Sequence, residues 1–483
     1  MSHRLAEVSL GLVASVAAAS LFLVGVPGNT ACGANETVEP GWERSYQAGM
    51  TDPAGHYLGG SQVMHLVGHK GRLYAGNSYW QDSRNIRYGG KDPKTGWAQV
   101  LRLDHPGGSW VVDLELGPHH LRCEILKSVT FRTDGAGRRL TNPVNLLLAS
   151  AFTPFPDRVE ISLFTRDDAT GKWTRSKVYS GEKPKDMGDR SVRAMCVHRD
   201  KVTGVDRLFL SIGKLGIFSG VYDEAAQGKV KWSPGSESGP VETRPLAIIE
   251  ANGDLLFSAG RKIYRRIDGT APSYKILHDT SDLYPDAAFQ PTGGMRGLSA
   301  IPSPSGKGDS LIFAMWERNR SRGDVYRLDP AEDGTYRRTR EAVVADLMSR
   351  YLSGNPVYMV GAAYSYFLPV TDPATSKTVN LFGFESWIGG HRHPTWGGTE
   401  KGGFYAGGMV AIRDEKGIYR LKEIDGRSVT AKPALVAPYC FTVSPFPADR
   451  GQTIYFGGHD PNGKASHNMA WIFSTRLENV LRP

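Results

Sequence analysis

The run Gly389-Gly390-His391-Arg392-His393-Pro394-Thr395-Trp396-Gly397-Gly398 sets two imidazoles, a guanidinium and an indole among glycines. Glycine reaches backbone conformations closed to other residues, so this loop can aim His391 and His393 at one target. The pair can move protons; joined by His459 and His467 it can also ligate a divalent ion such as zinc or calcium. A second pair, His119 and His120, precedes Leu121-Arg122. Arg193, Arg244 and Arg296 each stand where an apolar run begins, and with Arg392 they would form an anion-attracting rim. Trp80 and Trp396 offer indole faces to a sugar ring, and Tyr364, Tyr366 and Tyr439 can supply a phenol. Together these types suit proton abstraction beside a carboxylate: Arg neutralises the acid, and His or Tyr serves as base and acid. That is uronate β-elimination, with His119, His120, His391 and His393 as candidate catalytic groups and no cofactor required. The surrounding loops carry more His and Arg than Glu, so no glycosidase carboxylate pair is read from them.

Positioning these side chains requires a repeated element, and the sequence contains one. An Asp followed within nine residues by Gly and then Trp or Tyr recurs at Asp104 (Trp110), Asp167 (Trp173), Asp223 (Trp232), Asp268 (Tyr274), Asp329 (Tyr336) and Asp414 (Tyr419). Each copy lies between strand-like runs and reads as a hairpin turn. Seven apolar segments ending in Ala, Ser or Gly begin at Leu73, Leu146, Leu208, Leu255, Leu311, Asn380 and Ile454. They count seven blades independently of the turns. Trp42-Glu43-Arg44-Ser45 echoes Trp173-Thr174-Arg175-Ser176 but has no strand before it, whereas Met469-Ala470-Trp471-Ile472-Phe473 is an apolar strand with no hairpin after it. The N-terminal strand is therefore expected to complete the last blade, giving an all-β, seven-bladed propeller over residues 35–483. In such blades the second-to-third loops and the interblade connections open on one face, which gathers the candidate residues. Blade six carries an insertion.

The chain has 483 residues, a formal net charge of +9 and a pI near 9.2. That charge suits an acidic glycan or another anionic ligand. No basic run with interleaved aromatics marks a nucleic-acid groove. Val8 to Val26 form an apolar stretch behind Arg4, so residues 1–34 read as a signal peptide or N-terminal anchor and the mature chain as secreted or periplasmic. No later run is long enough to span a bilayer. Apart from Cys32, the cysteines are Cys123, Cys196 and Cys440, an odd set without metal-type spacing that reads as small buried thiols in first strands. Nucleophile elbow, Walker loop, His-Glu-x-x-His helix, EF-hand loop and dinucleotide fingerprint are not found in a suitable context.

In its seven second strands and split last blade the sequence resembles seven-bladed β-propellers, and more weakly the secreted propeller polysaccharide lyases. The resemblance implies an exported carbohydrate-active propeller, a lyase for an acidic glycan, with His, Tyr and Arg at the channel mouth. The same rings and charges equally suit a non-enzymatic glycan- or protein-binding propeller, and a converging histidine set would suit a metal-dependent hydrolase or lactonase.

Overall fold

The seven apolar second strands lie in sheets covered on both faces, which is why their side chains are large and apolar with no polar alternation. In the computed structural model, residues 41–79, 97–155, 157–185, 187–283, 293–316, 322–351, 359–362, 366–388, 404–406, 408–424, 436–460 and 467–482 are described. They build seven antiparallel sheets in a ring. Blade 1 shows the pattern: inner strand Gln62–His69, second strand Arg72–Ser78, third strand Gln99–Leu103 and outer strand Val111–Glu115, paired in that order. Blades 2 to 5 repeat it over residues 125–182, 192–236, 245–279 and 294–343.

Blade 6 departs from it. Its inner strand is in two pieces, Met359–Ala362 and Leu368–Thr371, both paired with the long strand Thr378–Ile388. A further strand, Phe404–Ala406, pairs with the end of Thr378–Ile388, at the insertion expected from the sequence. Blade 7 takes three strands from residues 436–476 and its outer strand, Trp42–Gln47, from the other end of the chain. The register of that closure is Trp42↔Thr475, Arg44↔Phe473 and Gln47↔Trp471. Tyr46, 1% exposed, donates its hydroxyl to the Gly59 carbonyl at 2.9 Å and pins the chain as it crosses to blade 1.

Every Asp-Gly-aromatic copy joins a third strand to an outer strand. At Asp167 the carboxylate accepts from the Ala169 and Thr170 amides at 2.9 and 3.1 Å, and Gly171, at φ +72°, completes the turn. The turn aromatics and the arginines before them lock neighbouring blades. Asp113, on the outer strand of blade 1, accepts from Arg166 Nε at 2.8 Å and Trp173 Nε1 at 2.8 Å, both in blade 2. Glu237 beside blade 3 takes Arg266 and the Tyr274 hydroxyl of blade 4, each at 2.7 Å. Glu341 in blade 5 takes Arg413 at 2.6 Å and the Tyr419 hydroxyl at 2.9 Å from blade 6. Burial, and bidentate geometry at Arg166 and Arg413, make these stronger than surface pairs.

The hydrophobic core is correspondingly divided. Each pair of adjacent blades shares one apolar layer, for example Leu148, Phe152 and Leu163 of blade 2 against Val192, Met195 and Leu210 of blade 3. Alternate residues of one strand serve opposite layers: Leu73 and Ala75 face blade 7, and Tyr74 faces blade 2. The three cysteines are free. Cys440 is buried in a first strand as expected, Cys196 lies in one but is only half-buried, and Cys123 is buried just ahead of Ile125–Thr133.

Candidate functional site

Side chains from the leading ends of successive inner strands meet at Glu124, the residue before Ile125–Thr133 of blade 2. Its carboxyl is 2% exposed. Oε2 accepts from the Val192 amide of blade 3 at 2.5 Å, while Oε1 is buried without a hydrogen-bond partner among the described residues. Burial pushes this carboxyl above its ordinary range, against the opposing pull of Arg193, Arg122 and Arg244. On the blade 1 side, His65 Nε2 donates to the Glu124 carbonyl at 2.8 Å. Burial, aided by Arg193, Arg122 and Lys127, lowers that imidazole to about 4, so it is neutral near pH 7. Lys127 donates to the Met195 carbonyl at 2.7 Å. Among the described residues this arc of the axis is thus electropositive, with Glu124 as its buried acid.

The other arc is built from blades 5, 6, 7 and 1. Glu385, near the end of Thr378–Ile388, is half-buried and accepts the Tyr439 hydroxyl at 3.0 Å. Gln62, at the start of the blade 1 inner strand, donates to the same phenol oxygen at 3.4 Å. Burial raises the Glu385 carboxyl, opposed by the Tyr439 hydrogen bond and by Arg296. Arg296 is itself buried, its guanidinium 4.8 Å above the Trp316 ring. The Tyr439 ring stacks on His459 at 4.7 Å between centroids, which fixes the phenol's direction. The result is a carboxyl and a phenol in one hydrogen bond beside an arginine, a pair that can take up a proton at one atom and deliver one from the other.

The residues singled out from the sequence fall into five groups. Arg193, Arg244 and Arg296 stand at this axial cluster, the first two half-buried. His120 is 2% exposed: its Nδ1 hydrogen goes to the Gly117 carbonyl at 3.2 Å, and Nε2 accepts the Thr153 hydroxyl at 2.7 Å. With burial lowering it to about 4, His120 is placed to hold the blade 1 to blade 2 connection rather than to exchange protons with a ligand. His119 is exposed in a left-handed conformation, φ +72°, with its ring 5.7 Å from Trp97 and 6.3 Å from Phe155. His459 is buried and lowered to about 3 by that burial; His467 lies beside Asn468, its carbonyl accepting from the Gly60 amide at 2.9 Å. Trp80, His391, Arg392, His393 and Trp396 lie outside the described residues. Among the described residues no group of three or more His, Cys, Asp or Glu is arranged to hold a metal.

Sequence reasoning missed Glu124, Glu385 and His65. Their signal is an ionisable residue set directly against large apolar ones, Met64-His65-Leu66, Glu124-Ile125-Leu126 and Phe384-Glu385, near a strand end.

No protein-family model matches the chain, and no curated protein matches it. Among solved structures it is similar to the GH93 α-L-arabinofuranosidase of Fusarium graminearum in complex with arabinobiose, with TM-score 0.40 and 13% identity over 87% of this chain and 95% of that one. A protein of unknown function from Dyadobacter fermentans gives TM-score 0.38 and 10% identity over 90% and 100%. An α-L-arabinofuranosidase from Clostridium thermocellum gives 0.27 and 13% over 57% and 92%. Likenesses this distant transfer no activity to the chain.

Proposed function

We propose that this chain is an exported carbohydrate-active propeller that binds an acidic glycan at its axis and cleaves it by β-elimination. The observation that carries the reading is the Tyr439 to Glu385 hydrogen bond of 3.0 Å, set beside Arg296 in a ring otherwise lined by arginines. Arginine neutralises the uronate carboxylate and lowers the cost of charge developing on it. Ionised Glu385 takes the proton from the carbon next to that carboxylate, and a carbon–carbon double bond forms as the glycosidic C–O bond breaks. Tyr439 donates its hydroxyl proton to the leaving oxygen, and the proton held by Glu385 returns along the hydrogen bond. A carboxyl raised towards neutral pH is a better-matched base than an ordinary one. Hydrolysis would need a second carboxylate in contact with an attacking water, and among the described residues of this cluster Glu124 is closed to solvent.

The test follows absorbance near 235 nm while the mature protein is incubated with uronate-containing glycans, with reducing ends assayed in parallel. A rise that Glu385→Gln and Tyr439→Phe abolish supports elimination. New reducing ends without absorbance would replace it with hydrolysis, and glycan binding without either product would make the chain a binding propeller.

A further inference from the structure

Glu124 is not placed to touch a ligand: it is sealed from solvent, with one oxygen bonded to the Val192 amide and the other without a hydrogen-bond partner among the described residues. The charged and titratable groups facing it are few. Arg122 and Cys123 belong to its own segment, His65 comes from blade 1, Arg193 and Arg244 from blades 3 and 4, and Lys127 lies one strand turn further on. Of these, His65 is neutral above pH 5, burial pushes the Cys123 thiol far up, and arginine stays charged throughout. Glu124, its carboxyl raised by burial and sealed with one oxygen unbonded among the described residues, is the acid of this cluster that can hold a proton.

Its ionised form is tolerated in a sealed site because Arg122, Arg193 and Arg244 compensate it. An anion arriving in front of the same guanidinium groups draws on that compensation, and the carboxylate behind them then carries an uncompensated buried charge. We propose that binding of a monoanion, a carboxylate or sulfate group on a sugar, to the Arg122, Arg193 and Arg244 cluster is coupled to uptake of one proton by Glu124. The inference rests on the axial cluster being the ligand site. It makes Glu124 a positioning residue that tunes affinity, not a catalytic one. By linkage, Kd rises about tenfold per pH unit across the interval between the free and bound titration points of Glu124, and is flat outside it.

Calorimetric titration of the full mature protein with sodium glucuronate, and separately with sodium methyl sulfate as the monoanionic sulfate ester, tests this in two cationic buffers of different ionisation enthalpy between pH 5 and 8. The expected result is a buffer-dependent heat reporting up to one proton taken up. Glu124→Gln, which keeps an acceptor for the Val192 amide, is expected to bind both probes with no buffer dependence and a pH-independent Kd. Tighter binding of glucuronate than of methyl sulfate would identify the sugar acid as the recognised form. Buffer-independent heats in the wild type, uptake retained by Glu124→Gln, or no binding of either probe would overturn the proposal. Should Glu124→Gln fail to fold, the pH dependence of the wild-type Kd decides alone. Proton uptake without glycan cleavage would sink the elimination reading and leave this one standing; cleavage without uptake would do the reverse.

Discussion

Asp113→Ala is the sharpest probe of how the ring is held together. The Asp113 carboxylate is 2% exposed and accepts Arg166 Nε at 2.8 Å, Arg166 Nη2 at 3.2 Å and Trp173 Nε1 at 2.8 Å across the interface, and Arg102 within its own blade. Removing it leaves Arg166, itself 1% exposed, with Asp168 as its remaining carboxylate partner at 2.9 Å. Breaking a buried pair costs about 3–5 kcal/mol. The orphaned indole N–H adds about 1–3 kcal/mol, which overlaps with the first term because both share one acceptor. The expected loss is about 4 kcal/mol. Unfolding roughly 440 residues carries an entropy near 0.9 kcal/mol/K, so Tm should fall by roughly 4–5 °C. Differential scanning calorimetry at pH 7 measures it, with Glu332→Ala as control. That carboxylate is 97% exposed at its Lys307 pair, so its removal should change stability by less than about 0.5 kcal/mol. A loss below about 1 kcal/mol for Asp113→Ala would refute the claim that these pairs latch the blades.

Three further outcomes are expected. His198 donates from Nδ1 to Glu250 at 2.6 Å and from Nε2 to Asp268 at 3.1 Å, so both nitrogens carry hydrogen and the imidazole is held charged, its pKa raised. Its stabilising contribution is complete below about pH 6.5 and is lost as pH rises through the folded value; the Tm gap between wild type and His198→Gln should shrink with rising pH, and a gap that widens would contradict the geometry. Deleting residues 41–48 uncovers the edge of Ala470–Arg476 and should remove most of a total stability of about 5–15 kcal/mol, read by chemical denaturation; an unchanged midpoint would sink the closure argument. Finally, Glu385→Gln should reduce turnover on a uronate glycan at least about a hundredfold with Tm within about 2 °C of wild type, and the acidic limb of the wild-type rate profile should lie above the ordinary carboxylate range; a limb near pH 4 would remove Glu385 as base.

The architecture was legible because its determinants are local. A turn needs Asp at its start and Gly at positive φ whatever surrounds it, and a strand packed on both faces needs apolar residues throughout, so Asp167 with Gly171 and Leu146 to Ser150 announce themselves. The rim arginines were legible for a related reason, since their place at the head of an apolar run follows from blade register. Glu124 and Glu385 were not. Each is one acid among apolar neighbours, and what gives it meaning, the guanidinium groups of blades 3 to 5 and the phenol of blade 7, lies far away in sequence. His120 shows the converse case. A His pair on a loop reads as reactive, yet one backbone carbonyl and one threonine hydroxyl occupy both of its nitrogens.

The pairing of Trp42–Gln47 with Ala470–Arg476 also imposes a timetable. The first strand of the ring to be synthesised must wait for the last. At about 5–20 residues per second that delay is roughly 20–90 s, far longer than the microseconds in which a hairpin forms. Blades 1 to 6 can assemble in order as they appear, but for that interval the arc has two unpaired ends. Sealing the seam is the final event in the birth of each molecule, and until it happens the axis is a groove rather than a ring.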